Sequence, residues 1–282
     1  MNELLEGLIA KKWIPGPRLE DAIRVAKELN KDNIVAMINF IGEHIKDTDK
    51  VDSNVNEYLK IIDAIRKEKL KAVISLKPSQ IGLDLSYKLA LSNLKSILNK
   101  AYKSNIEVWL DMEEYDTVDK TIRLFKELYS SSNRELFGIC IQSYLRRSLD
   151  DIIRLSKIKA RIRLVKGAYK PSNKEEFYIS RDDVTKSYYK LLDYLFKHND
   201  NFIVATHDSN IIDYTIKQNK KLKRRVSFAM LYGIRDRLAK ELAIDNKVYL
   251  YLPYGKDWIP YTTRRIKEGV NLKLIIRSIF SR

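Results

Sequence analysis

Cysteine occurs once in the sequence, histidine three times, proline six times and glycine nine times. A lone Cys140 rules out an intrachain disulfide and any cysteine-based metal motif. It lies in the apolar run Phe137–Ile141, where it reads as a small buried hydrophobe in a reducing, cytoplasmic setting. The few glycines include no Gly-x-Gly-x-x-Gly after a strand and no Walker-type phosphate loop, which disfavours a Rossmann fold and a P-loop enzyme. No stretch approaches the roughly 18 apolar residues needed to cross a bilayer. Met1-Asn2-Glu3 opens without the basic and then apolar pattern of a secretory signal.

Charge is present in excess: 53 Lys and Arg against 37 Asp and Glu give a net +16. The lysines are spread over almost every helical stretch, the pattern of a solvated surface, so nucleic acid is not expected as a partner. Past two short helical segments, Asn2–Ala10 and Arg18–Asn30, β-rich apolar runs alternate with amphipathic stretches. The predicted strands are Ile34–Ile41, Ala72–Leu76, Glu107–Asp111, Phe137–Gln142, Ala160–Val165, Phe202–Thr206, Val226–Leu231 and Val248–Leu252. Helices are predicted over Ser53–Glu68, Asp84–Tyr102, Asp116–Tyr129, Ser148–Lys157, Arg181–His198, Asn210–Asn219, Ile234–Leu242 and Trp258–Glu268, with Ser53, Asp84 and Asp116 as caps. Continuous apolar strands separated by helices call for parallel pairing. Eight such units, without an internal linker, predict an α/β chain folded as one (βα)8 TIM-type barrel over residues 1–282.

In that fold the strands' C-terminal ends carry the chemistry. Those ends present Lys77, Asp111, Gln142, then Arg163, Lys166 and Tyr169, then Thr206 with His207, and finally Leu231 and Tyr251. No Ser or Cys stands around His207 as a triad would require, and Asp111-Met112-Glu113-Glu114 lacks a histidine at metal spacing. A set this rich in cations points to an anion-bearing ligand such as a carboxylate or phosphate. Further on, Glu268 lies four residues after Arg264 and three after Arg265, within helical reach of either guanidinium. One reading is a carboxylate that fixes an arginine for substrate; the other is a surface salt-bridge trio.

The segment Arg163-Leu164-Val165-Lys166-Gly167-Ala168-Tyr169 resembles the strand-five signature of the proline dehydrogenase family. In the same order follow Ala205-Thr206-His207-Asp208, Met230-Leu231-Tyr232-Gly233, and Tyr251-Leu252-Pro253-Tyr254-Gly255 with Trp258, Tyr261, Arg264, Arg265 and Glu268. Upstream, Leu76-Lys77-Pro78-Ser79-Gln80-Ile81-Gly82, Leu110–Glu114 and Gln142 also look like family segments. The resemblance implies a distorted barrel holding FAD noncovalently, with N-terminal helices over 1–32, an eighth helix over the barrel mouth and a C-terminal helix over 270–282. It implies oxidation of L-proline to 1-pyrroline-5-carboxylate by hydride transfer, with a quinone-type acceptor.

By the same resemblance Lys77, Arg264 and Arg265 bind the proline carboxylate and Glu268 braces an arginine. Tyr251, Tyr261 and Leu231 line the ring pocket, and Asp111 and Tyr169 organise the site. Arg163 contacts the flavin near its N5, while Gln142, Val165, Lys166, Gly167, Ala168, Thr206 and His207 contact other parts of FAD. Tyr254 and Trp258 read as packing. The rival reading is a flavin-free barrel lyase with Lys166 or Lys77 as Schiff-base lysine. The tail Val270–Phe280, with Leu272, Ile275, Ile276, Ile279 and Phe280 beside Lys273 and Arg277, suits peripheral contact with an anionic bilayer at the inner face of the cell membrane. It suits equally a terminal helix packed on the barrel or a second subunit.

Overall fold

Continuous apolar runs and period-3.6 apolar patterns alternate along the chain, and the structure, a computed structural model describing residues 12–130, 133–169 and 173–258, turns them into alternating strands and helices. The strands are β1 (Val35–Phe40), β2 (Ala72–Leu76), β3 (Val108–Leu110), β4 (Phe137–Gln142), β5 (Arg161–Val165), β6 (Phe202–Ala205), β7 (Ser227–Leu231) and β8 (Val248–Tyr254). The helices are α1 (Leu19–Lys31), α2 (Thr48–Lys67), α3 (Tyr87–Lys103), α4 (Val118–Leu128), α5 (Ser148–Lys157), α6 (Arg181–His198), α7 (Ser209–Leu222) and α8 (Asp236–Ala243). The strands form a closed parallel barrel in the order β1 to β8. The predicted segments Asn2–Ala10 and Val270–Phe280, and the eighth helix beyond Trp258, lie outside the described residues.

The described residues up to Ile106 and from Met230 onward form one compact unit, and Glu107–Ala229 form a second. In the first, β1 pairs with β2 through Ala36↔Ala72 and Ile38↔Ile74, and with β8 from Val35↔Tyr249 to Phe40↔Tyr254. Every residue of β2 and β8 is buried, as both faces of a covered parallel sheet require. In the second unit Leu110↔Ile139, Cys140↔Arg163, Gln142↔Val165, Leu164↔Val204 and Ala205↔Ala229 set the registers of successive strands. The helices bury one stripe each, for example Ala22, Val25, Ala26 and Leu29 on α1.

Three expected caps are corrected. Helix α2 begins at Thr48, where the Asp47 side chain accepts from the N–H groups of Asp49 and Lys50, so Ser53 is interior. Ser86, not Asp84, caps α3 by accepting from Leu89 N–H, and Asp84 meets His44 instead. Asp116 sits in a 3₁₀ turn, Tyr115–Thr117, that precedes α4. Strand β8 also runs past the predicted end at Leu252. Pro253 costs the ladder only its own missing N–H, and Ile41 N–H still donates to Tyr254 O at 2.8 Å.

The scarcity of glycine has a backbone consequence. At the exits of α1, α2, α3, α5 and α7 the left-handed position that favours glycine is taken by Asn33, Lys69, Asn105, Lys159 and Lys223, with φ between 50° and 58°. Each costs on the order of 1 kcal/mol relative to glycine, which the packing of the following strand outweighs.

Candidate active site

Strand β2 ends on Lys77, and the chain then turns at once through a 3₁₀ segment, Pro78–Ile81. The Lys77 side chain is buried, with its Nζ 3.4 Å from the hydroxyl of Tyr251 on β8. Asn39, near the end of β1, is fully buried and donates from Nδ2 to Ser75 O at 2.9 Å. Leu231, half-buried at the end of β7, and Trp258 pack on a cluster of Trp13, Ile14, Ile41 and Ile234. Tyr254 is buried against Phe40, and its hydroxyl donates to Glu57 Oε1 at 2.8 Å; burial pushes that phenol well above its usual range. Packing is therefore the role of Trp258 and Tyr254. Tyr261, Arg264, Arg265 and Glu268 fall outside the described residues.

In the second unit, Arg163 on β5 forms an ion pair with Asp111 just past β3, with side chains only 5% and 11% exposed. The guanidinium also lies 5.8 Å from the Trp109 ring centroid. Cys140, its register neighbour, is buried, and burial pushes its thiol up, so it adds no anion. Gln142 at the end of β4 donates from Nε2 to Met112 O at 3.2 Å and Glu113 O at 3.3 Å. Its Oε1 is buried and has no hydrogen-bond partner among the described residues. A buried acceptor left open at a strand exit is a place for a ligand donor.

Val165, Lys166, Gly167, Ala168 and Tyr169 are half-buried along the exit of β5. Lys166 Nζ reaches Asp208 Oδ2 at 2.9 Å and Thr185 Oγ1 at 3.2 Å. Burial raises the Asp208 carboxyl, but Lys166 and the amides of Asn210 and Ile211 outweigh it and leave Asp208 below the usual carboxylate range. Gly167 has φ +111°, and a Cβ there would fall 2.0 Å from the Tyr144 ring, so only glycine fits. Thr206 is buried; its hydroxyl accepts from Asp208 N–H at 3.1 Å, and the half-buried His207 lies between the two. The Tyr188 hydroxyl, borne by α6, donates to Leu164 O at 2.8 Å.

Of the described candidate residues, Lys77, Asp111, Gln142, Val165, Lys166, Thr206 and Leu231 lie at or just past strand ends, whereas Arg163 and Tyr251 lie inside β5 and β8. The expected set did not contain Asn39, Gln80 or Asp208. Asp208 had two sequence signals, an N-cap position directly after a strand and its place in the family-like segment Ala205–Asp208, and Gln80 stood in the family-like segment Leu76–Gly82; Asn39 had none stronger than a polar residue beside an apolar run. Among the described residues no cluster of His, Cys, Asp and Glu could hold a metal ion, and no helix is long and apolar enough to cross a membrane.

Comparison with known proteins gives one result at three levels. The family model described as proline dehydrogenase matches residues 22–273. Proline dehydrogenase 1 of Bacillus subtilis is 34% identical over 279 residues, covering 97% of this chain and 91% of that protein. Proline dehydrogenase of Deinococcus radiodurans is 35% identical over 268 residues, covering 92% and 86%. Among solved structures, proline utilization A from Bdellovibrio bacteriovorus, inactivated by N-propargylglycine, superposes with a TM-score of 0.86 at 22% identity. That match covers 97% of this chain but only 34% of the larger protein, and it supports the fold alone.

Proposed function

The chain belongs to the proline dehydrogenase family, and from that premise we propose that it oxidises L-proline to 1-pyrroline-5-carboxylate with bound FAD, residues 1–282 working as one catalytic domain. The observation that carries the cofactor is the exit of β4 and β5. There a buried arginine is held by Asp111, and a buried glutamine oxygen on the neighbouring strand has no donor among the described residues. A cation fixed in a dry site suits the electron-rich reduced flavin, and an open acceptor suits a ring N–H. Around them Val165, Lys166, Gly167, Ala168, Thr206 and His207 would hold other parts of FAD.

FAD, when bound, supplies the oxidant, a two-electron acceptor for the hydrogen on the ring carbon beside nitrogen. The chain's residues do the rest. Lys77, Arg264 and Arg265 bind the carboxylate, and Glu268 braces an arginine. Tyr251, Tyr261 and Leu231 enclose the ring and exclude water, while Asp111 and Tyr169 keep the cations in register. The nitrogen lone pair, free once the amine has lost its proton to solvent, becomes the second bond of C=N as the hydrogen leaves with its electron pair, and the iminium then releases its N–H proton to solvent to give the 1-pyrroline. The electrons pass on to a quinone-type acceptor, with the basic and apolar tail Val270–Phe280 as the element for peripheral contact with the cytoplasmic membrane face.

The lyase alternative finds less support where it runs through Lys166. Lys166 has its amine engaged by Asp208 at 2.9 Å, where a Schiff-base lysine needs a free one. An anaerobic absorbance spectrum decides between the readings. Flavin bands that bleach on addition of L-proline are the expected result. A protein that stays colourless and inactive after incubation with FAD, or yellow bands that proline leaves unchanged, would refute the proposal.

A further inference from the structure

The turn after β2 is built around one side chain. Gln80 is fully buried, and its Nε2 donates to Phe40 O at 2.6 Å. Its Oε1 accepts twice, from the Tyr58 hydroxyl at 2.7 Å and from the Lys77 backbone N–H at 3.2 Å. The orientation of the amide is unique. Phe40 O can only accept and Lys77 N–H can only donate, so a flipped amide would oppose both. The backbone of Gln80 is held as well, its carbonyl accepting from Asn54 Nδ2 at 3.1 Å. Next to it, Ser79 Oγ accepts from His44 N–H at 3.1 Å. Pro78 removes the helical option for Lys77, whose backbone is extended at φ −99° and ψ 135°.

Lys77 is therefore gripped at two points. Gln80 fixes its backbone, and its ammonium lies 3.4 Å from the Tyr251 hydroxyl. A lysine has four rotatable bonds, so a fixed origin is what makes the position of its charge reproducible. We propose that Gln80, oriented by Tyr58, is the positioning residue for Lys77 and sets how tightly the site binds the substrate carboxylate. This rests on the reading that Lys77 meets that carboxylate. It adds that the binding energy depends on a side chain whose hydrogen bonds go to Phe40, Tyr58 and the Lys77 backbone.

The test is a double-mutant cycle on the flavin-loaded protein: parent, Lys77→Ala, Gln80→Met and the combined variant. The readouts are the Kd of tetrahydro-2-furoate by calorimetry and the proline KM and kcat. This ring ether keeps the carboxylate and lacks the amine. Gln80→Met preserves length and burial but removes both hydrogen-bonding functions. The expected result is a Kd and KM raised about three- to tenfold by Gln80→Met, the scale of one buried hydrogen bond, with kcat changed less. In the Lys77→Ala background the same substitution should shift Kd by less than about twofold, because its effect passes through Lys77. A purely structural role predicts the same factor in both backgrounds, and that outcome, or no effect in the parent, overturns the proposal. If Lys77→Ala itself leaves Kd unchanged, the carboxylate reading has failed and the proposal falls with it. Tyr58→Phe removes one hydroxyl and guards against misfolding of Gln80→Met. It should raise Kd about two- to fourfold in the parent background only, and an unchanged Kd in a folded Tyr58→Phe protein counts against the role of Tyr58.

Discussion

Replacing Asp111 by alanine separates the stability of the site from its chemistry. The Arg163 and Asp111 side chains are 5% and 11% exposed, so the substitution removes the carboxylate paired with a guanidinium held in a low-dielectric interior near the Trp109 ring. Cys140 cannot take over the charge, because burial pushes its thiol up and keeps it neutral. Breaking one side of a buried ion pair costs about 3–5 kcal/mol. For a chain of this size about 2 °C of Tm is lost per kcal/mol, so a fall of about 6–10 °C is expected. Pairing Asp111→Leu with Arg163→Met removes both charges and both desolvation costs, and the Tm should return to within about 3 °C of the parent. Flavin reduction by proline should nevertheless stay lost in the double variant, since the cation assigned to the flavin is gone. Melting is recorded by circular dichroism on flavin-free protein, so that lost ligand binding does not enter the shift. A single variant melting within about 1 °C of the parent, or a double variant as labile as the single, would refute the reasoning.

Two further substitutions probe the second unit. A Cβ at Gly138 would lie 2.4–2.7 Å from three atoms of the fully buried Trp109 ring, which the Arg161 guanidinium covers from 4.9 Å. Gly138→Ala should lower the urea midpoint by the equivalent of about 1–3 kcal/mol and change the tryptophan emission; an unchanged midpoint would mean that the ring has room to move. Asp208 has its carboxyl below the usual range, so its stabilisation is complete above the unfolded value near ~4 and is lost as pH falls through the lower native value. Asp208→Asn should therefore flatten the acid limb of Tm against pH below about pH 4, and parallel limbs for the two proteins would show that the Lys166 pair does not contribute.

Much of the architecture could be read directly. Ala72–Leu76, Phe137–Gln142, Ser148–Lys157 and Arg181–His198 form the predicted elements with the same ends, because each apolar pattern stops at a polar or turn-forming residue. Failures came where periodicity carries no information. The first turn of α2 begins Thr48-Asp49-Lys50, without an apolar residue, so only the cap at Asp47 reveals it. Pro253 ended a predicted strand that in fact continues, because a proline removes one donor and not a whole ladder. Candidate site residues were legible where a charge follows an apolar run, as with Lys77 and Asp111; Arg163 stands inside its strand, between Ile162 and Leu164. Pairings were not: Arg163 and Asp111 are 52 residues apart, and Gln80 meets partners 22 and 40 residues away. Such contacts are made by the fold and leave no local trace.

Two of the buried tyrosines, Tyr58 and Tyr188, share a placement with a consequence for strand alignment. Tyr58 approaches the carbonyl of Ser75 at 3.5 Å, and Tyr188 bonds that of Leu164 at 2.8 Å. Ser75 and Leu164 are each the penultimate residue of their strand, and each stands two positions before a lysine, Lys77 and Lys166. A slip of one residue would turn both lysines to the opposite face of the sheet. It would also carry each carbonyl away from the hydroxyl beside it, so a large rigid side chain rooted in a helix acts as a mechanical stop for sliding. Relocating either lysine along its strand in an engineered variant would therefore require moving its tyrosine by the same step.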